Sequence, residues 1–168
     1  MTIKKPEPLD ARFDLSTFDC GKPELDTWLK KYAQQARSVG SANTYIVCND
    51  EQVIAYYSLT VGQVNAEEVS DRIRKGMGQY PIPVIILARL AVHQAYKGLG
   101  IGTGMLKDAI LKTLSIADQA AIRALLVHAI DDEAFDFYQK FAFEASPLRS
   151  NQLVLLLKDA KRKISHID

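Results

Sequence analysis

Cysteine is scarce. Cys20 and Cys48 are the only two in 168 residues, too few for a disulfide framework and without the paired spacing of a metal site. Histidine is equally thin, with His93, His128 and His166 scattered along the chain, so no metal centre is expected. An excess of either charge is missing too. The 21 Lys and Arg against 20 Asp and Glu leave a formal net charge of +1. No global field therefore announces a nucleic-acid or membrane partner, and any basic surface must be local. No stretch approaches the roughly 18 consecutive apolar residues of a membrane span, and the opening MTIKKPEPLD has no apolar core of the kind a secretory signal needs. What is present is 48% hydrophobic and 24% charged residues, the profile of an ordinary globular protein. The expectation is a cytoplasmic protein with one domain, 1–168, able to bury its own core.

Patterning gives a coarse order of elements. KPELDTWLKKYAQQAR predicts a helix: Pro23 suits its first turn, Glu24 and Asp26 suit the positive end, and Leu25, Trp28, Leu29 and Tyr32 recur at i, i+3, i+4 and i+7. ANTYIVCNDEQVIAYYSL reads as two β-rich runs folded back around NDEQ. AEEVSDRIRKG predicts a short charged helix ending at Gly76, and PVIILARLAV a strand buried on both faces. TGMLKDAILKTLSIA follows as a helix with Leu106, Ile110, Thr113 and Leu114 inward and Lys107, Asp108 and Lys112 outward. IRALLVHAI is a further strand. DDEAFDFYQKF is a helix capped by Asp131 or Asp132, NQLVLLLKD a last strand and AKRKISHID a frayed basic tail. Early antiparallel strands and a later strand–loop–helix–strand unit give an α/β fold with a mixed sheet and helices on its faces.

Four of the nine glycines stand at alternate positions, Gly98, Gly100, Gly102 and Gly104, between the apolar strand and the following helix. Glycine costs backbone entropy, so the cluster needs a reason. A tight strand–helix connection explains one or two of them, hardly four. The first amides of a helix have no partner inside it, and small residues let an anion reach them. A P-loop is excluded because Gly-Lys-Ser/Thr is absent, and the dinucleotide fingerprint fails because Thr103 and Met105 stand where its third glycine should be.

LAVHQAYKGLGIGTGMLKDAI resembles the acetyl-CoA loop of the GNAT N-acetyltransferases, whose pattern is Arg/Gln-x-x-Gly-x-Gly/Ala after an apolar strand. Lys97 replaces the usual Arg or Gln, and its charge still suits a pyrophosphate. The resemblance implies the GNAT fold, with a mixed, mostly antiparallel central sheet flanked by helices. It implies that Lys97, Gly98, Leu99, Gly100, Ile101, Gly102 and Thr103 hold the pyrophosphate of acetyl-CoA. Main-chain N–H groups at Leu90, Ala91 and Val92 would polarise the thioester carbonyl, an oxyanion-type stabilisation. HAIDDEAFDFYQKFAF is similar to a second family segment, Ala-x-x-(Phe)-Tyr-x-x-x-Gly-Phe, matched by Ala134, Phe137, Tyr138 and Phe143. Ala142 stands in place of the common glycine, which implies a different helix exit or a modest strain.

Spacing alone makes Tyr138 a core aromatic. The family places it near the sulfur, where a neutral phenol can give the departing thiolate a proton. His93 and His128 lie in or beside buried strands and receive no role. Among Glu67, Glu68, Asp131 and Asp132 none stands out as a base. An α-amine, with a reference pKa of about 7.7–8.0 against about 10.4 for lysine, needs a base least.

FDCGKPELDTWLKKYAQQA, TYIVC, VIAYYSLTVGQV, the glycine segment and VHAIDDEAFDFYQKFAFEASP, in that order, resemble the GNAT toxins of bacterial toxin–antitoxin pairs. Cys-Gly-x-x-x-Leu-Asp-x-Trp-Leu and the late Phe143, Ser146 and Pro147 are distinctive of that group. The resemblance implies acetylation of the α-amine on charged tRNA, a block of translation, a homodimer, and neutralisation by an antitoxin with a ribbon–helix–helix DNA-binding half. Lys30, Lys31 and Arg37 on one helix, Arg72, Arg74 and Lys75 on another, and Arg89 inside a strand are the candidate tRNA contacts. Each helix cluster alone also reads as a solvated charged face. Arg89 is expected to hold a carboxylate or reach into the cleft. A small amine or a protein N-terminus as acceptor, and a module that binds the cofactor without catalysis, are the competing readings.

Overall fold

Asp50 lies in the left-handed region at φ 53, a conformation that aspartate tolerates better than most residues. It opens the two-residue turn between β2 (Asn43–Asn49) and β3 (Gln52–Val64), whose antiparallel ladder runs from Asn49↔Gln52 to Asn43↔Leu59 with a register shift at Val47/Cys48. β1 (Glu7–Pro8) covers the far edge of β2. β4 (Ile82–Val92) runs parallel to β5 (Ala124–His128), in register from Val84↔Ala124 to Leu87↔Val127. A parallel pair needs a crossover, and α4 (Ile101–Ala117) supplies it. β7 (Gln152–Leu156) lies antiparallel to β5, and β6 (Glu144–Ala145) closes the edge on β7. The order of the seven-stranded sheet is β1-β2-β3-β4-β5-β7-β6. Helices α1 (Pro23–Lys31), α2 (Ala33–Val39), α3 (Asp71–Arg74), α5 (Asp132–Lys140) and α6 (Leu157–Lys163) complete the fold.

This computed structural model describes residues 1–164, and it comprises two compact units. The first, Met1–Thr60 with Ala88–Ala109, is built on Leu9, Phe18, Leu29, Ile46, Tyr56 and Ala91, with Trp28 and Leu25 packed against them. The second, Val61–Leu87 with the chain from Ile110 onward, is built on Val64, Ile73, Ile82, Val84, Leu126 and Val154.

Four local expectations are corrected. The helix expected over residues 22–37 breaks at Tyr32, where φ is −121°. Ala33 takes the buried position and Tyr32 is 56% exposed, because the apolar stripe shifts by one residue at the break. The segment before Gly76 is a 3-10 turn (Ala66–Glu68) and α3, separated by Val69, which is buried in the core. Asp108 is not simply an outward charge, since it accepts a hydrogen bond from the buried Tyr57 hydroxyl. The last strand stops at Leu156, and α6 takes up the expected strand end and the first four residues of the expected tail. There Asp159 accepts from Arg72 (2.8 and 2.9 Å) and from Arg162 (2.8 Å), which fixes the turn. Residues 165–168, including His166, lie outside the described residues.

Candidate active site

The strand-to-helix connection is built by four consecutive anchors followed by bare backbone. His93 N–H donates to Ile54 O at 2.7 Å, and its Nδ1 accepts from Ala95 N–H at 3.1 Å. Gln94 is tied twice to Asp19, N–H to the carbonyl at 2.9 Å and Nε2 to the carboxylate at 3.0 Å. Tyr96 OH accepts from Asn49 Nδ2 at 2.9 Å and faces Gln52 Oε1 at 3.3 Å. Lys97 Nζ donates to Cys20 O at 2.9 Å. The Cys-Gly motif is thereby given a purpose. Gly21, at φ +87, packs under the Gln94 side chain and donates its N–H to Asp19, while Cys20 N–H is held by Asp26 at 2.9 Å. Burial, reinforced by Asp26, pushes the Cys20 thiol up to about 11.

Beyond Lys97 the backbone is open. Gly98 and Gly100 have φ of +83 and +82, a region in which a side chain would be strained. A Cβ added at Gly98, Gly100 or Gly104 would meet no heavy atom within 4 Å. Gly104 N–H donates to Gly100 O at 3.0 Å, the first bond of α4, so the amides of Ile101, Gly102 and Thr103 precede the helical ladder and make no hydrogen bond among the described residues. No acidic residue stands in that first turn. Amides, a positive helix end and an uncovered surface fit a phosphate group. Lys97 stands at the entry to this surface, with one of its three ammonium donors given to a carbonyl of the chain.

The C-terminal half of β4 lies past the last pair of the β5 ladder, Leu87↔Val127. His93 N–H points to β3. Strand alternation turns Ala91 N–H the same way and directs those of Leu90 and Val92 to the opposite edge. Ala91 is buried in the core, and the N–H groups of Leu90 and Val92 are the pair that share one edge. Arg89 meets no carboxylate among the described residues. Its Cζ sits 3.9 Å from the centroid of the Trp28 ring, and Trp28 in turn stacks on Tyr56 at 6.1 Å and 12°. Tyr56 OH donates to Leu25 O at 2.7 Å. Burial lowers the Arg89 guanidinium from its ordinary value. Nothing in the sequence pattern paired Arg89 with Trp28, sixty-one positions earlier in the chain.

Tyr138 is 7% exposed on α5, its ring 5.3 Å from Phe137 and 5.4 Å from Phe143. Burial raises its phenol well above the ordinary value, so the proton stays on the oxygen at neutral pH. The hydroxyl makes no hydrogen bond among the described residues. Asp131 caps α5, accepting from Ala134 N–H at 2.9 Å. Ala142 ends the helix at φ 68, the left-handed exit that glycine would otherwise provide.

Two of the four candidate carboxylates, Glu68 and Asp131, hold structure. Burial would raise Glu68, but hydrogen bonds from Arg149 and Gln152 outweigh it and keep the carboxyl below its usual range. His128 Nε2 bonds Gln152 Oε1 at 2.9 Å. Among the described residues no group of three or more His, Cys, Asp or Glu could hold a metal ion, and no helix is long and apolar enough to cross a membrane. Arg72 is engaged by Glu144 at 2.7 Å and Asp159 at 2.8 Å, and Arg74 by Asp71. Lys30, Lys31, Arg37 and Lys75 are exposed. Lys30 and Arg37 line an open groove with Phe13, Ser16 and Gln34.

Comparison with known proteins adds three relatives to this geometry. A family model described as an acetyltransferase (GNAT) domain matches residues 40–145. A tRNA-acetylating toxin of Mycobacterium tuberculosis is 39% identical over 159 residues, 95% of this chain and 95% of that protein. AtaT complexed with acetyl-methionyl-tRNAfMet superposes with a TM-score of 0.89 at 26% identity, covering 95% of this chain and 98% of the other. A tyrosine-to-phenylalanine mutant of AtaT, bound to the C-terminus of the antitoxin AtaR and to acetyl-CoA, gives a TM-score of 0.81 at 26% identity over 96% and 97% of the two chains.

Proposed function

Because the chain belongs to the GNAT acetyltransferases and, among them, to the tRNA-acetylating toxins, we propose that it moves an acetyl group from acetyl-CoA to the α-amino group of the amino acid on charged tRNA, blocking translation. The observation that carries this reading is the row of amides at Ile101, Gly102 and Thr103, without a partner among the described residues, behind two left-handed glycines. Those amides, with Gly98, Leu99 and Gly100 shaping the approach, hold the diphosphate. Acetyl-CoA supplies the acetyl group as a thioester.

Leu90 and Val92 N–H groups donate to the thioester oxygen as negative charge grows on it, a fixed pair of donors of the oxyanion-hole kind. The Tyr138 hydroxyl holds the proton that the departing sulfur requires. A phenol kept neutral by burial suits that task at any physiological pH. Glu68, Asp131 and His128 are each engaged by the chain itself, and this reading assigns no strong base. An α-amine esterified through its neighbouring carboxyl is already partly neutral near pH 7, so the substrate meets that need itself.

Lys30, Lys31, Arg37, Lys75 and Arg89 contact the tRNA in this reading. Arg72 and Arg74, engaged by Asp159, Glu144 and Asp71, serve chiefly as structural cations. A cognate antitoxin with a ribbon–helix–helix DNA-binding half neutralises the protein, which works in the cytoplasm as a homodimer of single-domain chains. Labelled acetyl-CoA offered with charged tRNA, uncharged tRNA, polyamines and peptides in separate reactions tests the activity. Label is expected on charged tRNA alone; label on polyamines or peptides instead would replace the reading, and label on nothing would remove it.

A further inference from the structure

Arg89 is the only charged residue of β4, whose sequence is otherwise IPVIILA-LAV. It is half-buried, its Cζ lies over the Trp28 ring at 3.9 Å from the centroid, and its guanidinium makes no ion pair or hydrogen bond with any described residue. Attraction to the ring is electrostatic and consumes no hydrogen-bond acceptor, so the N–H groups of the guanidinium stay unspent. The platform beneath is rigid: Trp28 rests on Tyr56, and the Tyr56 hydroxyl is tied to Leu25 O at 2.7 Å. A half-desolvated cation without an anion is a standing cost to the fold. It is retained where a ligand brings the missing charge.

The ligand can be narrowed by chemistry. Arg89 immediately precedes Leu90 and lies three residues, roughly 10 Å of strand, before Val92, on the acyl side of the site and not at the α4 end where the diphosphate binds. The nucleophile is an amine and gives a cation nothing to bind. The ester joining the amino acid to the ribose is neutral. The nearest anion in every charged tRNA is the phosphodiester on the 5′ side of the aminoacylated nucleotide.

We propose that Arg89, pre-oriented by Trp28, receives this last phosphodiester of the acceptor strand through its planar N–H fork, so that recognition of a polynucleotide is built into the strand that also polarises the thioester. The inference rests on the acetyl-transfer reading above, and it adds a discrimination that reading does not contain. Free amino-acid esters and aminoacyl nucleosides present the same amine without the phosphate. They forgo this contact.

Three acceptors with a stable amide in place of the ester separate the possibilities: an aminoacylated adenosine without phosphate, the same group on a CCA trinucleotide, and a charged tRNA. The full-length protein is expected to favour the trinucleotide over the nucleoside in kcat/KM by about 10- to 100-fold, the range of a charge-assisted bidentate contact. In Arg89→Met, which keeps a stem on the indole, that ratio falls to about 1. Arg89→Lys restores part of it, Trp28→Leu lowers it, and the KM for acetyl-CoA does not move. A wild-type ratio near 1 overturns the proposal without any variant, so misfolding cannot hide the answer. An undiminished ratio in Arg89→Met overturns it too, and a rise in acetyl-CoA KM assigns Arg89 to the coenzyme's phosphates instead. Acetylation of none of the three removes the activity, and this inference with it, whereas acetylation without the ratio removes the inference alone.

Discussion

Tyr138 owes its chemistry to its packing. With Phe137 and Phe143 against its ring and burial raising the phenol, it keeps its proton throughout the range in which the enzyme is assayed. Tyr138→Phe preserves the ring contacts, so the melting temperature should hold while kcat falls by about 10²- to 10⁴-fold. The pH profile follows from the sign of the shift. An acid whose pKa is raised stays protonated as pH rises, so kcat/KM should climb as the acceptor amine loses its proton and show no descending limb from Tyr138 up to about pH 10. A limb descending near pH 9 that vanishes in Tyr138→Phe would contradict this. Four residues on, Ala142 holds φ 68. Relieving that strain with Ala142→Gly should stabilise the protein by a few tenths to about 1 kcal/mol in urea unfolding, less than the full strain because glycine also loosens the unfolded chain.

The turn and first helical residues from His93 to Gly104 form one device at the scale of an element. Its entry is bolted by His93, Gln94, Tyr96 and Lys97, and its exit is bare amide. The glycines within it are not equivalent. Gly98 and Gly100 are held at positive φ, whereas Gly104 is an ordinary helical residue facing open space. Gly98→Ala and Gly100→Ala should each raise the KM for acetyl-CoA by at least about tenfold, given a strain of about 1–2 kcal/mol per residue in that region. Gly104→Ala should instead strengthen the helix by up to about 1 kcal/mol and leave coenzyme affinity in place. Calorimetric titration with CoA and thermal melts of the three variants check both halves. The alternation of glycines was legible because the requirement they meet is local. The break at Tyr32 was not, because whether residue 32 or 33 is buried depends on what α1 and α2 pack against.

For the whole molecule, a net charge of +1 means that affinity for RNA must come from a few placed cations. Replacing Lys30, Lys31 and Arg37 together should weaken charged-tRNA binding evenly across tRNA species. The slope of log affinity against log salt should fall by about 1 for each phosphate no longer neutralised. An unaltered slope would return these residues to the solvated surface. The boundaries of the two compact units fall inside β3, β4 and α4, so no linker joins them. A single-domain chain should therefore lose near-UV and far-UV circular dichroism in one coincident transition. Two separated transitions would count the units as domains.

What the sequence determined by itself was whatever short-range chemistry demands. The glycine turn, the Asp131 cap, the hairpin around Asp50 and the apolar β4 and β5 each follow from neighbours within a few residues, and their pattern was enough to carry the family resemblance. Tertiary structure decided which long side chains are free. Arg72 and Arg89 look alike along the chain, yet one is drawn to Asp159 and Glu144 and the other lies unpaired on Trp28. Lys97, read from the sequence only as a charge beside the glycine turn, also ties that turn to Cys20 O. The physical reason is the same in each case: a charge takes the nearest partner that packing brings within about 3–4 Å, and for these residues that partner lies tens of positions away in sequence.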